Sequence, residues 1–116
     1  MDFKTSDKIY KENSDFTCTI TFLTSEEGGK DEEISGIYRP LFKIADHKQL
    51  TSADIQFEDQ DKAFPGDTVS AKVRILWVSG YEGQLHNGQE FILREAKQTV
   101  ATGVILEVLN EKLLKQ

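Results

Sequence analysis

The chain has 116 residues, the size of one domain, and carries 14 basic and 20 acidic residues for a formal net charge of −6. That balance lacks the electrostatic footprint of a nucleic-acid binder. No apolar run reaches the ~20 residues that cross a bilayer as a helix. The first 15 residues lack the apolar core of a signal peptide. One cysteine, Cys18, leaves no internal disulfide to form. A cytoplasmic protein is the resulting expectation.

The hydrophobic period is two almost throughout. After an N-terminal extension, 1–15, residues 16–24 alternate Phe16, Cys18, Ile20 and Phe22 with Thr17, Thr19 and Thr21, the pattern of a half-buried strand. Cys18 therefore reads as a small buried hydrophobe. The polar loop SEEGGKDEE follows. A second strand is expected over 36–44, where Pro40 cannot donate to a ladder and marks an edge, bulge or kink. A short strand over 53–58 comes after a polar loop. Phe64-Pro65-Gly66-Asp67 then has the residues of a type II turn.

The next strand is expected over 68–79, with Val69, Ala71, Val73, Ile75 and Trp77 on one face. Residues 80–88 read as a hairpin connection ending near Asn87-Gly88, and strands over 89–95 and 98–109 complete the set. The charged tail 110–116 is too short for a helix to persist unsupported. Six antiparallel strands with no crossover helix imply a small barrel or sandwich.

Together the pieces resemble the C-terminal β-barrel, the third domain, of translation elongation factor Tu. FTCTITFLTSEEGG at 16–29 is similar to its opening strand and glycine-pair turn. Tyr38-Arg39-Pro40-Leu41-Phe42 resembles its YRPQF segment, and Phe64–Asp67 its PGD turn. Phe91–Glu95 and Thr99–Ile105 resemble its FAIREG and TVGAGVV strands. The resemblance covers about residues 9–109. It implies a six-stranded antiparallel Greek-key barrel, all-β, over 16–109.

In that family this domain contacts the T stem of aminoacyl-tRNA, the nucleotide domain and the exchange factor. The chain contains no GxxxxGK[ST], so neither nucleotide binding nor GTP hydrolysis is expected of it. Several positions of the family's RNA side depart from the pattern. Its basic pair is Lys30-Asp31, its YRPQF glutamine is Leu41, and its closing glycine-rich turn is Ala96-Lys97-Gln98. The cations left for RNA are Lys30, Arg39, Arg94 and Lys97.

The two histidines, His47 and His86, are thirty-nine positions apart in loops and do not have metal-ligand spacing. No nucleophile–base signature accompanies Ser52, Ser79 or Thr99. No cofactor, metal or catalytic residue is expected. The expected function is a non-catalytic interaction module that docks a protein partner or self-associates. Trp77, Tyr81 and Leu85 are its candidate anchors, the last two on the long 80–88 connection. Ala101, Gly103 and Ile105 are taken as outward apolar positions of the last strand. The alternative is a translation-associated tRNA-binding module.

Overall fold

The structure is a computed structural model that describes residues 14–45 and 47–116, so most of the 1–15 extension lies outside the described residues. Nine strands are formed among the described residues. Strand β1, Phe16–Phe22, is followed by β2, Ile34–Ser35; β3, Ile37–Tyr38; β4, Leu41–Ile44; and β5, Thr51–Phe57. Then come β6, Lys62–Ala63; β7, Thr68–Ile75; β8, Glu90–Glu95; and β9, Gln98–Val108.

β3 and β4 both pair with β5, so they form one barrel strand kinked at Arg39-Pro40. The ring then runs β4–β5–β7–β1–β9–β8 and returns to β4, every pair antiparallel. This is a closed six-stranded antiparallel β-barrel. Closure removes the exposed strand edges that would template aggregation.

The links β1 to β3/β4 and β7 to β8 join strands that are not neighbours, which gives the Greek-key order. The segment 80–88 is therefore not a hairpin connection: β7 pairs with β1 and β5, and β8 with β4 and β9. The expected strand over 68–79 stops at Ile75. A single 3-10 turn, Val78–Tyr81, takes over, and Trp77 leaves the barrel wall.

Alternation decides the core. Phe16, Cys18, Ile20 and Phe22 of β1 point inward, as do Val69, Ala71, Val73 and Ile75 of β7. Burial also pushes the Cys18 thiol pKa up, so the group is inert as a nucleophile. Phe16, Phe42 and Phe91 form a packed triad with ring centroids 5.1 to 5.8 Å apart. Phe22 continues the stack to Phe57 at 5.9 Å. Fully burying each such side chain contributes roughly 2–3 kcal/mol, and these rings fill the lumen of so narrow a barrel.

Loops gather at the two ends. The upper end holds 23–36, 58–67 and the 96–97 turn, with β2 and β6 paired as a small ribbon. The expected PGD turn is present. Gly66 has φ +94°, and Asp67 closes the turn by accepting from Phe64 N–H at 2.9 Å. The lower end holds 45–50, 76–89 and the tail. There Leu85 N–H donates to Leu113 O and Lys115 N–H to Leu85 O, both at 2.8 Å, while Leu113 is buried. The tail is thus a strap across the lower mouth of the barrel.

Candidate functional site

Five of the six candidate protein contacts are not on the surface. Tyr81 packs edge-on against Phe42 at 5.6 Å and stacks on His47 at 4.0 Å. Its hydroxyl donates to Gln49 O at 2.6 Å, and its burial pushes the phenol pKa up to about 12. Leu85 is buried under the tail strap. Of the 80–88 anchors and their neighbour, Trp77 alone reaches solvent, 41% exposed, its ring lying against Gly80.

Ala101, Gly103 and Ile105 correct the expected phase of β9: all three face the interior. Two irregularities explain the error. Leu93 pairs with Ala101 but Arg94 with Thr99, which makes Val100 an extra residue buried beside Ala101. Thr17 pairs with Glu107 and Cys18 with Ile105, which leaves Leu106 as a second extra residue. A single-residue slip exchanges the two faces of a strand, and β9 has apolar residues on both.

The true outer face of β9 shows Thr102, Val104 and Leu106. Register builds a continuous outer wall from it. One row reads Lys43, Ile92, Thr102, Thr21 across β4, β8, β9 and β1; the next reads Glu90, Val104, Thr19. These side chains surround a concavity of about 340 Å³. Its floor is threonine, isoleucine and valine, with Lys43 and Glu90 at the margin. The opposite wall, on β5 and β7, is charged instead. There Asp54 receives Arg39 Nε at 2.5 Å and an Arg74 guanidinium N–H at 3.0 Å.

The four candidate RNA contacts do not form a basic track. Lys30 pairs with Glu95 at 2.7 Å, and Tyr38 Oη donates to the same carboxylate oxygen. Burial opposes ionisation of Glu95, but those two donors outweigh it and hold its carboxyl below the usual range. Gln98 Nε2 donates to the Gly28 and Gly29 carbonyls, so it fastens the closing turn to the first loop. Arg39 is held by Asp54 on another wall. Lys97 is exposed at the tip of the turn.

Arg94 differs from the rest. It lies on the outer face of β8 opposite Leu41, and its Nε is buried with no hydrogen-bond partner among the described residues. Only strand register places Arg94 on the same outer face as Ile92, two residues from the floor of the hollow.

His47 offers no free ring nitrogen: Nε2 lies 2.8 Å from Gly80 O, and Nδ1 is 3.1 Å from both Gln49 N and Gln49 O. Among the described residues no group of three His, Cys, Asp or Glu side chains is arranged to hold a metal, and no helix is long and apolar enough to cross a membrane. No GTPase domain is present in the 116 residues.

A closed six-stranded barrel with a kink at Arg39-Pro40, a PGD turn and a closing β8–β9 hairpin is the architecture that the sequence resemblance implied. The family model "Elongation factor Tu C-terminal domain" matches residues 9–109, and the chain belongs to that family.

Proposed function

We propose that this domain is a non-catalytic interaction module that docks a protein partner on the outer wall formed by β4, β8, β9 and β1. The observation that carries the reading is the concavity of about 340 Å³ on that wall, floored by Ile92, Thr102, Val104 and Thr19. Val104 and Leu106, 37% and 53% exposed, extend it as an apolar surface. A hollow whose floor carries no charge, with Lys43 and Glu90 only at its margin, lowers the desolvation cost of docking, which is what the core of a protein interface requires. The family's role as a domain of a translation factor supplies the setting, and translation-associated proteins are the first partners to test.

tRNA binding draws less support. Lys30 and Arg39 are each neutralised by a carboxylate, and the charge of −6 repels a polyanion at long range. The experiment is affinity capture with mass spectrometry, comparing the parent chain with Val104→Asp and with Lys72→Glu on the opposite wall. Val104→Asp should lose the proteins that the parent and Lys72→Glu both retain. Identical capture by all three would refute docking on this wall. A second copy as partner would show as a concentration-dependent mass in analytical ultracentrifugation.

A further inference from the structure

We propose that the docking wall selects a partner segment that places an aliphatic side chain in the hollow and a carboxylate on Arg94 and Lys43. This rests on the docking reading above and adds the chemistry of the occupant. Arg94 Nε is buried without a hydrogen-bond partner among the described residues. An orphaned buried donor costs free energy in the isolated domain, and a swing of the part-exposed Arg94 side chain would bring that donor to an acceptor on the wall.

The register supplies the second cation. Leu41 pairs with Arg94 and Lys43 with Ile92, so Lys43 and Arg94 are diagonal neighbours on one face, about 7–8 Å apart at Cα. That spacing is within the reach of two long side chains converging on one carboxylate. Four cations elsewhere are committed to carboxylates, Lys30 to Glu95, Arg39 and Arg74 to Asp54, and Lys62 to Glu33, while Lys72 lies on the opposite wall and Lys97 at the tip of the closing turn. Lys43 and Arg94 form no ion pair with a described residue.

Glu90 does not serve Arg94. It lies four residues back along β8, a separation of about 13 Å. Lys43 lines the hollow together with Ile92, Thr102 and Val104, and Arg94 follows Ile92 by two residues on the same outer face of β8. Two cations at the edge of an apolar floor suit one carboxylate and one aliphatic group. A nucleic-acid strand would instead need a track of cations matched to successive phosphates. Nε is the buried atom of a part-exposed side chain, and a carboxylate on its exposed portion gains charge-assisted hydrogen bonds.

The test is an NMR titration of the ¹⁵N-labelled full chain with three probes: acetyl-Leu-Leu-Glu-amide, its Gln counterpart and a short RNA hairpin at low salt. The Arg94 Nε–Hε cross-peak and the amides of Ile92, Thr102 and Val104 are the readouts. The Glu peptide should shift them saturably and bind at least about tenfold more tightly than the Gln peptide. Arg94→Gln and Lys43→Gln should each reduce that ratio below about twofold, with peak dispersion reporting whether each variant is folded. If Arg94→Gln does not fold, Lys43→Gln alone decides.

Equal binding of the two peptides would overturn the carboxylate selection while leaving docking on this wall intact. No shift with the Glu peptide at about 10 mM, tenfold above a Kd of about 1 mM, would overturn it as well. So would shifts produced by the RNA hairpin alone.

Discussion

Gly103 is the position where a single added methyl should be felt most. It sits inside the barrel in the middle of β9. An ideal Cβ built there would lie 2.2 Å from Phe91 Cζ and within 2.7 Å of two further ring atoms. Phe91 has little room to retreat, because its ring packs on Phe16 at 5.8 Å and Phe42 at 5.1 Å. Overpacking a filled core costs about 1–3 kcal/mol, and the upper end applies where the obstacle is a ring held on two sides. Against that, replacing glycine by alanine reduces the entropy of the unfolded chain and returns about 0.4–1 kcal/mol. The net expectation for Gly103→Ala is therefore a loss of about 2 kcal/mol. At about 2.1 cal/mol/K per residue over 116 residues the unfolding entropy is about 0.24 kcal/mol/K, so Tm should fall by about 8 °C. The assay is urea denaturation of Gly103→Ala, Phe91→Leu and the double variant. If the ring is the obstacle, Phe91→Leu opens space and the added methyl should cost less than about 1 kcal/mol in that background. A neutral Gly103→Ala, or a cost unchanged by Phe91→Leu, refutes the reasoning.

The remaining predictions concern the ends of the barrel. Ala96 opens the β8–β9 turn at φ +54°, which costs an L-residue about 1–2 kcal/mol; glycine's greater unfolded-state entropy takes back about 0.4–1 kcal/mol, so Ala96→Gly should raise Tm by about 3 °C in calorimetry. Buried Asp15 accepts from Ile75 N–H at 2.8 Å and Asn110 Nδ2 at 2.9 Å, tying β1 to β7 and the tail. Asp15→Ala orphans both donors and should cost about 2 kcal/mol in urea melts; a change below about 0.5 kcal/mol would contradict the tie. Burial opposes ionisation of Asp54, but Arg39 and Arg74 outweigh it and hold its carboxyl low, as Lys30 and Tyr38 do for Glu95. Both folded values lie below the unfolded ones of about 3.9 and 4.3. The stability they confer is therefore present above about pH 4.3 and lost as pH falls through the folded values. Asp54→Asn and Glu95→Gln should each flatten the acid limb of a plot of stability against pH. Unchanged limbs would show that neither carboxyl is held low.

Binding at the outer wall also bears on the rest of the barrel. The hollow lies over β9, whose inner face holds Gly103 against Phe91, so the docking floor and the core share one strand. Substitutions meant to probe docking are therefore best placed at Val104 and Leu106, whose side chains point to solvent and leave the core packing alone.

Period-two alternation in β1 and β7 named the inward residues there directly, because each strand is apolar on one face and polar on the other. Pro40 and Phe64–Asp67 marked the kink and the turn through backbone chemistry that is local to them. The closed barrel followed from the strand count and from the family's motifs in order. β9 resisted the same reading. Its run carries apolar residues on both faces, and two extra residues, Val100 and Leu106, shift its phase in ways that depend on β8 and β1. Ala101, Gly103 and Ile105 consequently pointed the wrong way, and the real outer wall went unseen. Tyr81 and Leu85 failed for a related reason: the residues that bury them, Phe42, His47 and Leu113, are distant in sequence. The sequence by itself determined the strands, the turns and the family, because these depend on local periodicity and fixed backbone preferences. Only the tertiary structure decided which side of the last strand faces water and which cations lack a partner. Those are set by pairing register, a long-range property that no single strand encodes.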